Sequence, residues 1–128
     1  MKFSCSVCDK IYDSSKVPIW LCDCGKPLVV HYNWENKVKS IDVIEDELSL
    51  WRYKSVLPDI ETVISLGEGH TPLIPISKNV YVKDETVNPT GSFKDRGMAL
   101  AVTMAKAQGV ETICLPSAGN AGISAAAY

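Results

Sequence analysis

Short apolar stretches separated by polar ones mark the first part of the chain. Residues 17–21 and 28–32 are each rich in apolar and β-branched side chains, which predicts two strands. Residues 33–40 are polar and predict a linker. After it, apolar residues recur at helical spacing, which predicts a helix that begins near residue 41 and ends before Pro58. The positions with this spacing are Ile41, Ile44, Leu48 and Trp51.

The second half of the chain alternates between strand and helix patterns. Residues 80–83 predict a strand, and the turn residues 88–91 lead from it into a helix with Ser92 as its N-cap. Gly109 ends this helix, and residues 110–116 predict the next strand, followed by the start of a second helix. One apolar stripe is expected to mark the buried face of the first helix: Phe93, Gly97, Leu100, Ala101 and Met104.

The order strand, helix, strand, helix is that of a right-handed crossover in a parallel sheet. The predicted fold class is therefore α/β. Sheets of this kind bind ligands beyond the carboxyl ends of their strands, so chemistry is expected where residues 80–83 and 110–116 end.

The composition excludes several classes of protein. With 46% hydrophobic and 22% charged residues among 128, the chain is an ordinary globular protein. Its net charge of -2 argues against binding nucleic acid through a general positive field. No apolar run could cross a bilayer and residues 1–5 lack a secretory pattern, so we expect a cytoplasmic protein that binds no membrane. The last helix has barely begun at residue 128, which suggests a piece of something larger.

Four of the five cysteines lie in the first 24 residues, as a Cys-x-x-Cys pair and a Cys-x-Cys pair. Without a secretory signal, this pattern suits a closed tetrahedral zinc site that would stabilise a small ribbon with few apolar residues. Free thiols or a redox pair are the alternatives that stay open. Cys114 is expected to be a small buried hydrophobe. The four predicted metal ligands are Cys5, Cys8, Cys22 and Cys24.

Residues 66–73 predict a loop that contains a histidine. The spacing of Gly67 and Gly69 does not make a dinucleotide-binding fingerprint, because the third glycine is missing and no helix follows. His70 is a candidate catalytic base, and the alternative is a loop histidine with no chemical role.

Lys94 is the most informative residue. It lies in the first turn of a predicted helix, where the positive end of the helix dipole disfavours the ammonium form. Partial desolvation there would lower its pKa further, which suits a nucleophilic amine that forms a Schiff base with a carbonyl. A solvent-exposed helix lysine is the alternative.

The turn at residues 117–122 is small and polar, and it opens the second helix. Backbone N–H groups with the side chains of Ser117 and Asn120 form a natural cradle for a carboxylate or an electron-rich oxygen. Lys94 and Asn120 both follow strand ends, so we expect them to face one crevice.

Together these segments resemble a known family. Asn88-Pro89-Thr90-Gly91-Ser92-Phe93-Lys94-Asp95-Arg96-Gly97 is similar to the lysine motif of fold type II pyridoxal-phosphate enzymes, and the details resemble the threonine synthases. Three further segments fit that family in order and spacing: residues 50–58, 67–73 and 117–122. The cysteine ribbon also occurs in some members, so the resemblance covers nearly the whole chain.

The resemblance implies a reaction and a role for each site residue. The reaction converts O-phospho-L-homoserine and water to L-threonine and phosphate. Lys94 would bind pyridoxal phosphate covalently and later move protons on the substrate, Asn120 would hydrogen-bond the 3′-oxygen of the pyridine ring, and Phe93 would wall that ring. A further set of groups would hold the substrate carboxylate: Ser117, Gly119, Asn120 and Ala121.

The sequence departs from the family in one respect. The glycine-rich loop for the cofactor phosphate and the Ser or Thr at the pyridine nitrogen are both missing, so we expect an N-terminal portion that is inactive alone. The expected organisation is a zinc ribbon at 1–32, a linker and helix at 33–66, and at 67–128 the truncated start of a three-layer parallel-sheet domain. A homodimer is expected. A threonine dehydratase or another enzyme of this fold stays open, as does a non-catalytic zinc module.

Overall fold

A computed structural model describes residues 2–13, 21–32 and 43–128 of the chain. The chain divides into two compact units, Met1–Asp42 and Val43–Tyr128. Within the described residues, no helix is both long enough and apolar enough to cross a membrane.

The first unit is built on a three-stranded antiparallel sheet in the order β2-β1-β3. The strands are β1 (Lys2–Cys5), β2 (Ile11–Asp13) and β3 (Leu28–His31). The strand predicted at 28–32 is confirmed as β3. The strand predicted at 17–21 lies outside the described residues except for Leu21, which forms an isolated bridge with Pro27. Strands β1 and β2 were not predicted, because stretches this short carry no periodic signal.

The second unit opens with a 3₁₀ helix, Leu50–Val56, and not with the long helix predicted from residue 41. Ser49 sets the start, because its Oγ accepts a hydrogen bond from the Trp51 N–H at 3.2 Å. Trp51 is buried, whereas Ile44 and Leu48 are exposed, so the predicted apolar stripe does not form. Ile41 lies outside the described residues.

An antiparallel hairpin follows, made of β4 (Leu73–Ser77) and β5 (Val80–Lys83). The strand predicted at 80–83 is confirmed as β5. The parallel sheet does not form among the described residues, where both sheets are antiparallel. Residues 110–116 have no regular secondary structure, because a strand requires a hydrogen-bonded neighbour and no described strand lies beside them.

Two helices complete the unit: α1 (Lys94–Ala107), which packs against α2 (Asn120–Ala127). Helix α1 begins one residue later than predicted, with Phe93 and not Ser92 at the N-cap, although the Ser92 Oγ still accepts a hydrogen bond from the Lys94 N–H at 3.3 Å. The predicted apolar stripe on α1 is not the buried face. The fully buried side chains are Asp95, Ala99 and Thr103, spaced four residues apart.

Hydrogen bonds explain why a polar face is buried on α1. The Thr103 Oγ1 accepts a hydrogen bond from the Ile64 N–H at 2.8 Å, which ties α1 to the segment before the 67–69 loop. Buried polar groups are tolerated where they are paired in this way. The apolar stripe is partly or fully exposed, with Phe93 at 57%.

This contact generates a prediction for stability. Changing Thr103→Val removes the hydroxyl and leaves the half-buried Ile64 N–H without its acceptor, so we expect the free energy of unfolding to fall by about 1–3 kcal/mol. Urea denaturation followed by circular dichroism measures this free energy. The matched control is Thr62→Val at an exposed threonine, which should change stability by less than about 0.5 kcal/mol. Equal effects of the two substitutions on the free energy of unfolding would contradict the role assigned to the Thr103 hydroxyl.

Candidate active site

The turn before α1 is held by the carboxylate of Asp95. This carboxylate accepts a hydrogen bond from the Thr90 N–H at 2.7 Å and a second from the Thr90 hydroxyl. Gly91 has a φ of 79°, a conformation that favours glycine, and its N–H donates to the Asn88 carbonyl at 2.8 Å. The backbone that leads into Lys94 is therefore fixed from both sides.

Lys94 is the first residue of α1 and is half-buried. Its Nζ lies 4.2 Å from the centroid of the Phe93 ring, within cation–π distance. The exposed Phe93 ring and the lysine amine thus share one surface at the positive end of the helix dipole.

The turn before α2 is organised by Ser117. Its Oγ accepts hydrogen bonds from the N–H groups of Gly122 at 3.0 Å and Gly119 at 3.3 Å. A side chain at Gly122 would place its Cβ 2.8 Å from the Ser117 carbonyl oxygen, so only glycine fits. Ser117 therefore already engages the Gly119 amide, whereas the N–H groups of Asn120 and Ala121, in the first turn of α2, have no intrahelical acceptor.

Asp95 also joins the two helix starts. Its Oδ1 accepts a hydrogen bond from the Ser124 hydroxyl at 2.6 Å, and both side chains are fully buried. Burial by itself raises the pKa of Asp95, but the hydrogen bonds from Ser124 and Thr90 outweigh it and lower that pKa. Ser124 lies one turn after Asn120, so this bond brings the lysine turn close to the start of α2.

A second buried carboxylate fixes the loop at 65–69. Glu68 is fully buried, and its carboxylate accepts hydrogen bonds from the Ser65 hydroxyl, the Leu66 N–H and the Tyr128 hydroxyl, the last at 2.9 Å. Burial and the adjacent Glu68 carboxylate raise the pKa of Tyr128. The loop is therefore tied directly to the end of α2.

The pair formed by Arg96 and Glu85 links α1 to the turn after β5. The Arg96 Nε lies 2.7 Å from Oε2 of Glu85, and its Nη2 lies 2.8 Å from Oε1. The Thr71 hydroxyl and the Asn88 side-chain amide also donate to this carboxylate. The hydrogen bonds from Arg96 lower the pKa of Glu85 from 4.5 to about 2, with Thr71 and Asn88 contributing further.

Among the described residues, the side chain of His70 forms no hydrogen bond to this network. Its side chain is exposed, its φ is 47°, and its Nδ1 is 3.2 Å from Nη1 of Arg52. The hydrogen bond that the structure gives His70 is thus to an arginine and not to the lysine turn, so the geometry gives no support to a role as base for Lys94.

The four N-terminal cysteines converge, with all four sulfurs within 4.8 Å of one another. The Sγ–Sγ distances are 3.5 Å for Cys5 and Cys24 and 3.6 Å for Cys8 and Cys22. A backbone N–H at Cys24 and the Tyr12 hydroxyl, which is 3.1 Å from Sγ, lower the pKa of Cys22 to about 6. These are the ligand types and the proximity that a metal ion requires.

Cys114 does not behave as predicted. It is exposed, not buried, because the segment around it has no neighbouring strand in the described part of the chain.

Sequence reasoning missed three residues that organise the site. Asp95 was named only as part of the lysine motif, and Glu68 and Ser124 were given no role. The available signal was a carboxylate directly after the lysine and another between two glycines, both inside short motifs. Neither signal identifies a partner that is distant in sequence.

Comparison with known proteins adds an independent finding. The model of a family described as pyridoxal-phosphate dependent enzyme matches residues 64–128. The threonine synthase of Methanocaldococcus jannaschii is 42% identical over 137 aligned residues, covering 97% of this chain and 34% of that protein. The threonine synthase of Methanosarcina acetivorans is 34% identical over 133 residues, covering 97% of this chain and 33% of that protein.

A third relative, the threonine synthase of Halalkalibacterium halodurans, is 48% identical over 95 residues, covering 63% of this chain and 27% of that protein. The chain thus spans between 27% and 34% of the length of these curated relatives. No solved structure matches it.

The depressed pKa of Glu85 predicts a pH dependence. A carboxyl whose pKa is lowered on folding stabilises the protein above its unfolded pKa of 4.5 and loses that contribution as pH falls toward 2. The side chain of Glu85 is 25% exposed, so we expect about 2 kcal/mol after allowing for solvent screening.

Glu85→Gln should therefore lower the free energy of unfolding at pH 7 and flatten its dependence between about pH 5 and pH 2. Denaturant titrations at several pH values measure both effects. Glu61→Gln, at an exposed glutamate, is the control and should leave the pH profile of the wild type unchanged. A Glu85→Gln profile parallel to the wild type would refute the prediction.

Proposed function

The chain belongs to the pyridoxal-phosphate dependent enzymes, and from that premise we propose that it is the lysine-bearing part of a threonine synthase. The proposed reaction converts O-phospho-L-homoserine and water to L-threonine and phosphate. The observation that carries the proposal is the buried Asp95–Ser124 hydrogen bond, which joins the turn of Lys94 to the helix of Asn120. The curated relatives named threonine synthase favour this reaction within the family.

The residues present fit the cofactor. Lys94 supplies an accessible primary amine beside the exposed ring of Phe93, and Asn120 is an exposed amide at a helix N-terminus. An amine is the group that binds an aldehyde, and an amide donor suits the ring oxygen of pyridoxal phosphate. When bound, this cofactor withdraws electrons from the substrate carbon that loses its proton.

Residues of the chain supply the proton transfer and the orientation of the substrate. Lys94 binds the cofactor, and its Nζ accepts and returns the substrate proton. The Ser117 hydroxyl and the N–H groups of Asn120 and Ala121 orient the substrate carboxylate at the start of α2. The Gly119 N–H is already hydrogen-bonded to Ser117 Oγ, so the contribution of Gly119 is its extended backbone, which orients the turn.

The chain needs groups beyond these to complete the reaction. The cofactor phosphate and the pyridine nitrogen require partners for which the described residues offer no further glycine-rich cradle, and the relatives are about three times longer. We therefore assign catalysis to a longer protein and expect no turnover by the 128 residues alone.

A chimera tests the proposal. Residues 1–128 would replace the matching third of the M. jannaschii threonine synthase, to which they are 42% identical. We expect the chimera to release phosphate from O-phospho-L-homoserine, and Lys94→Ala to reduce this at least about a thousandfold because the amine is lost. Borohydride reduction and mass spectrometry should find the cofactor on the peptide that contains Lys94.

Lys106→Ala is the matched control, because this exposed lysine lies in the last turn of the same helix. It should retain full activity. A soluble chimera that binds the cofactor at another residue, or that deaminates threonine and leaves phosphohomoserine untouched, would overturn the proposal. Turnover by the isolated chain would overturn the assignment of catalysis to a longer protein.

We also propose that Cys5, Cys8, Cys22 and Cys24 bind one structural zinc ion. The support is the convergence of four sulfurs from two turns onto a volume small enough for one tetrahedral ion. Four thiolates leave no open coordination position, so the ion would stabilise the ribbon and take no part in the chemistry. The short strands around it contain few buried apolar residues, which favours a need for such a cross-link.

Metal analysis tests the zinc assignment. Reduced chain should contain one zinc per molecule, and Cys22→Ser should lose it and unfold the ribbon, whereas the exposed Cys114→Ser is the control and should keep it. A metal content near zero in reduced protein purified with zinc, or equal retention by both variants, would contradict the proposal.

The homodimer and the absence of a nucleic-acid or membrane partner stay predictions. The exposed apolar side chains along β4 and β5 support association of some kind, since exposed patches of this sort commonly mark an interface.

A further inference from the structure

The second unit contains a cavity of about 670 Å³ that the proposed reaction does not use. It lies between the 3₁₀ helix Leu50–Val56, the loop at His70 and the end of β5. Neither Lys94 nor the residues of the 117–122 turn line it. Its volume is typical of pockets that hold a small organic ligand.

The charges on its wall are unbalanced. Three cationic side chains line the cavity, namely Arg52, Lys83 and Arg96, against one carboxylate, that of Glu85. Arg96 already neutralises Glu85 through two hydrogen bonds. Among residues 2–13, 21–32 and 43–128, neither Arg52 nor Lys83 forms an ion pair. Two cations in a concave wall without a counter-charge create a positive potential.

The two uncompensated cations are held in place. The Nζ of Lys83 donates to the Thr71 carbonyl oxygen, which leaves two of its three donors for a ligand. Arg52 lies with Nη1 3.2 Å from Nδ1 of His70 and with its guanidinium 5.8 Å from the ring centroid of Tyr53. The Nε of Arg52 is buried and makes no hydrogen bond in the described structure. The guanidinium of Arg52 and the ammonium of Lys83 are already positioned, so they lose little conformational freedom when an anion binds.

We propose that this cavity binds the phosphate group of a small phosphorylated molecule. A phosphate monoester carries up to two negative charges, which match the two uncompensated cations, and planar guanidinium donors suit its oxygens. The cavity is larger than a phosphate ion, so the remaining volume accommodates the organic part. The site is separate from Lys94, and the inference does not rest on the proposed reaction.

Titration of the 128-residue chain with inorganic phosphate and with O-phospho-L-serine, at constant ionic strength, tests the proposal. We expect saturable binding by calorimetry and shifts in the NMR signals of residues 50–56 and 70–72. Arg52→Gln and Lys83→Gln should each weaken binding at least about tenfold, because each removes a charge-assisted hydrogen bond. Arg52→Lys should restore part of the loss by keeping the charge.

The controls separate this site from general electrostatics and from the active site. Lys78→Gln makes the same charge change at an exposed lysine outside the cavity and should leave affinity unchanged. Lys94→Ala should also leave it unchanged, so failure of the catalytic proposal would not affect this result. Circular dichroism and urea titration of each variant establish that it is folded.

The two ligands separate two sources of the same chemistry. Equal affinity for both means that the site recognises phosphate alone, whereas tighter binding of phosphoserine means that the organic part also makes contact; both results support a phosphate site. Absence of saturation, equal binding of unphosphorylated serine, or equal loss of affinity in Lys78→Gln would overturn it.

Discussion

The buried carboxylate of Asp95 is the interaction on which the candidate active site depends. Taken out of water, it needs donors on every side, and it obtains them from Thr90 in the turn before α1 and from Ser124 in α2. The requirement acts in both directions. The carboxylate is tolerated in the interior only if the turn before α1 and helix α2 both donate hydrogen bonds to it. These hydrogen bonds in turn fix the two segments relative to each other. The position of Lys94 relative to α2 is therefore tied to a polar contact.

Local signals in the sequence predicted the parts of the fold that depend on neighbouring residues. The alternation at residues 80–83, the turn at 88–91 and Gly109 after α1 each report a local backbone preference, and each element is found close to where it was predicted. The spacing of Cys5, Cys8, Cys22 and Cys24 likewise predicted a convergence that the structure contains.

The remaining features could not be predicted because they depend on residues that are distant in the chain or not paired at all. The buried face of α1 is set by hydrogen bonds to Ile64 and Ser124, which no periodicity encodes. Apolar side chains face outward from both strands of the hairpin, and residues 110–116 pair with no described strand. The hydrophobic pattern of these segments is typical of strands in a sheet that helices cover on both faces, but in the described residues most of these apolar side chains are exposed. The pattern alone cannot reveal that difference.

The hydrogen bond between Tyr128 and Glu68 has a consequence for the order in which the unit folds. It joins residues 60 positions apart, and the bond between Ile64 and Thr103 spans 39. Closing such long loops costs entropy before any contact is gained, so contacts of this range form late. The hairpin and α1 rest on local contacts and can form first. The loop at 65–69 then stays open until α2 docks and the Tyr128 hydroxyl reaches the carboxylate of Glu68.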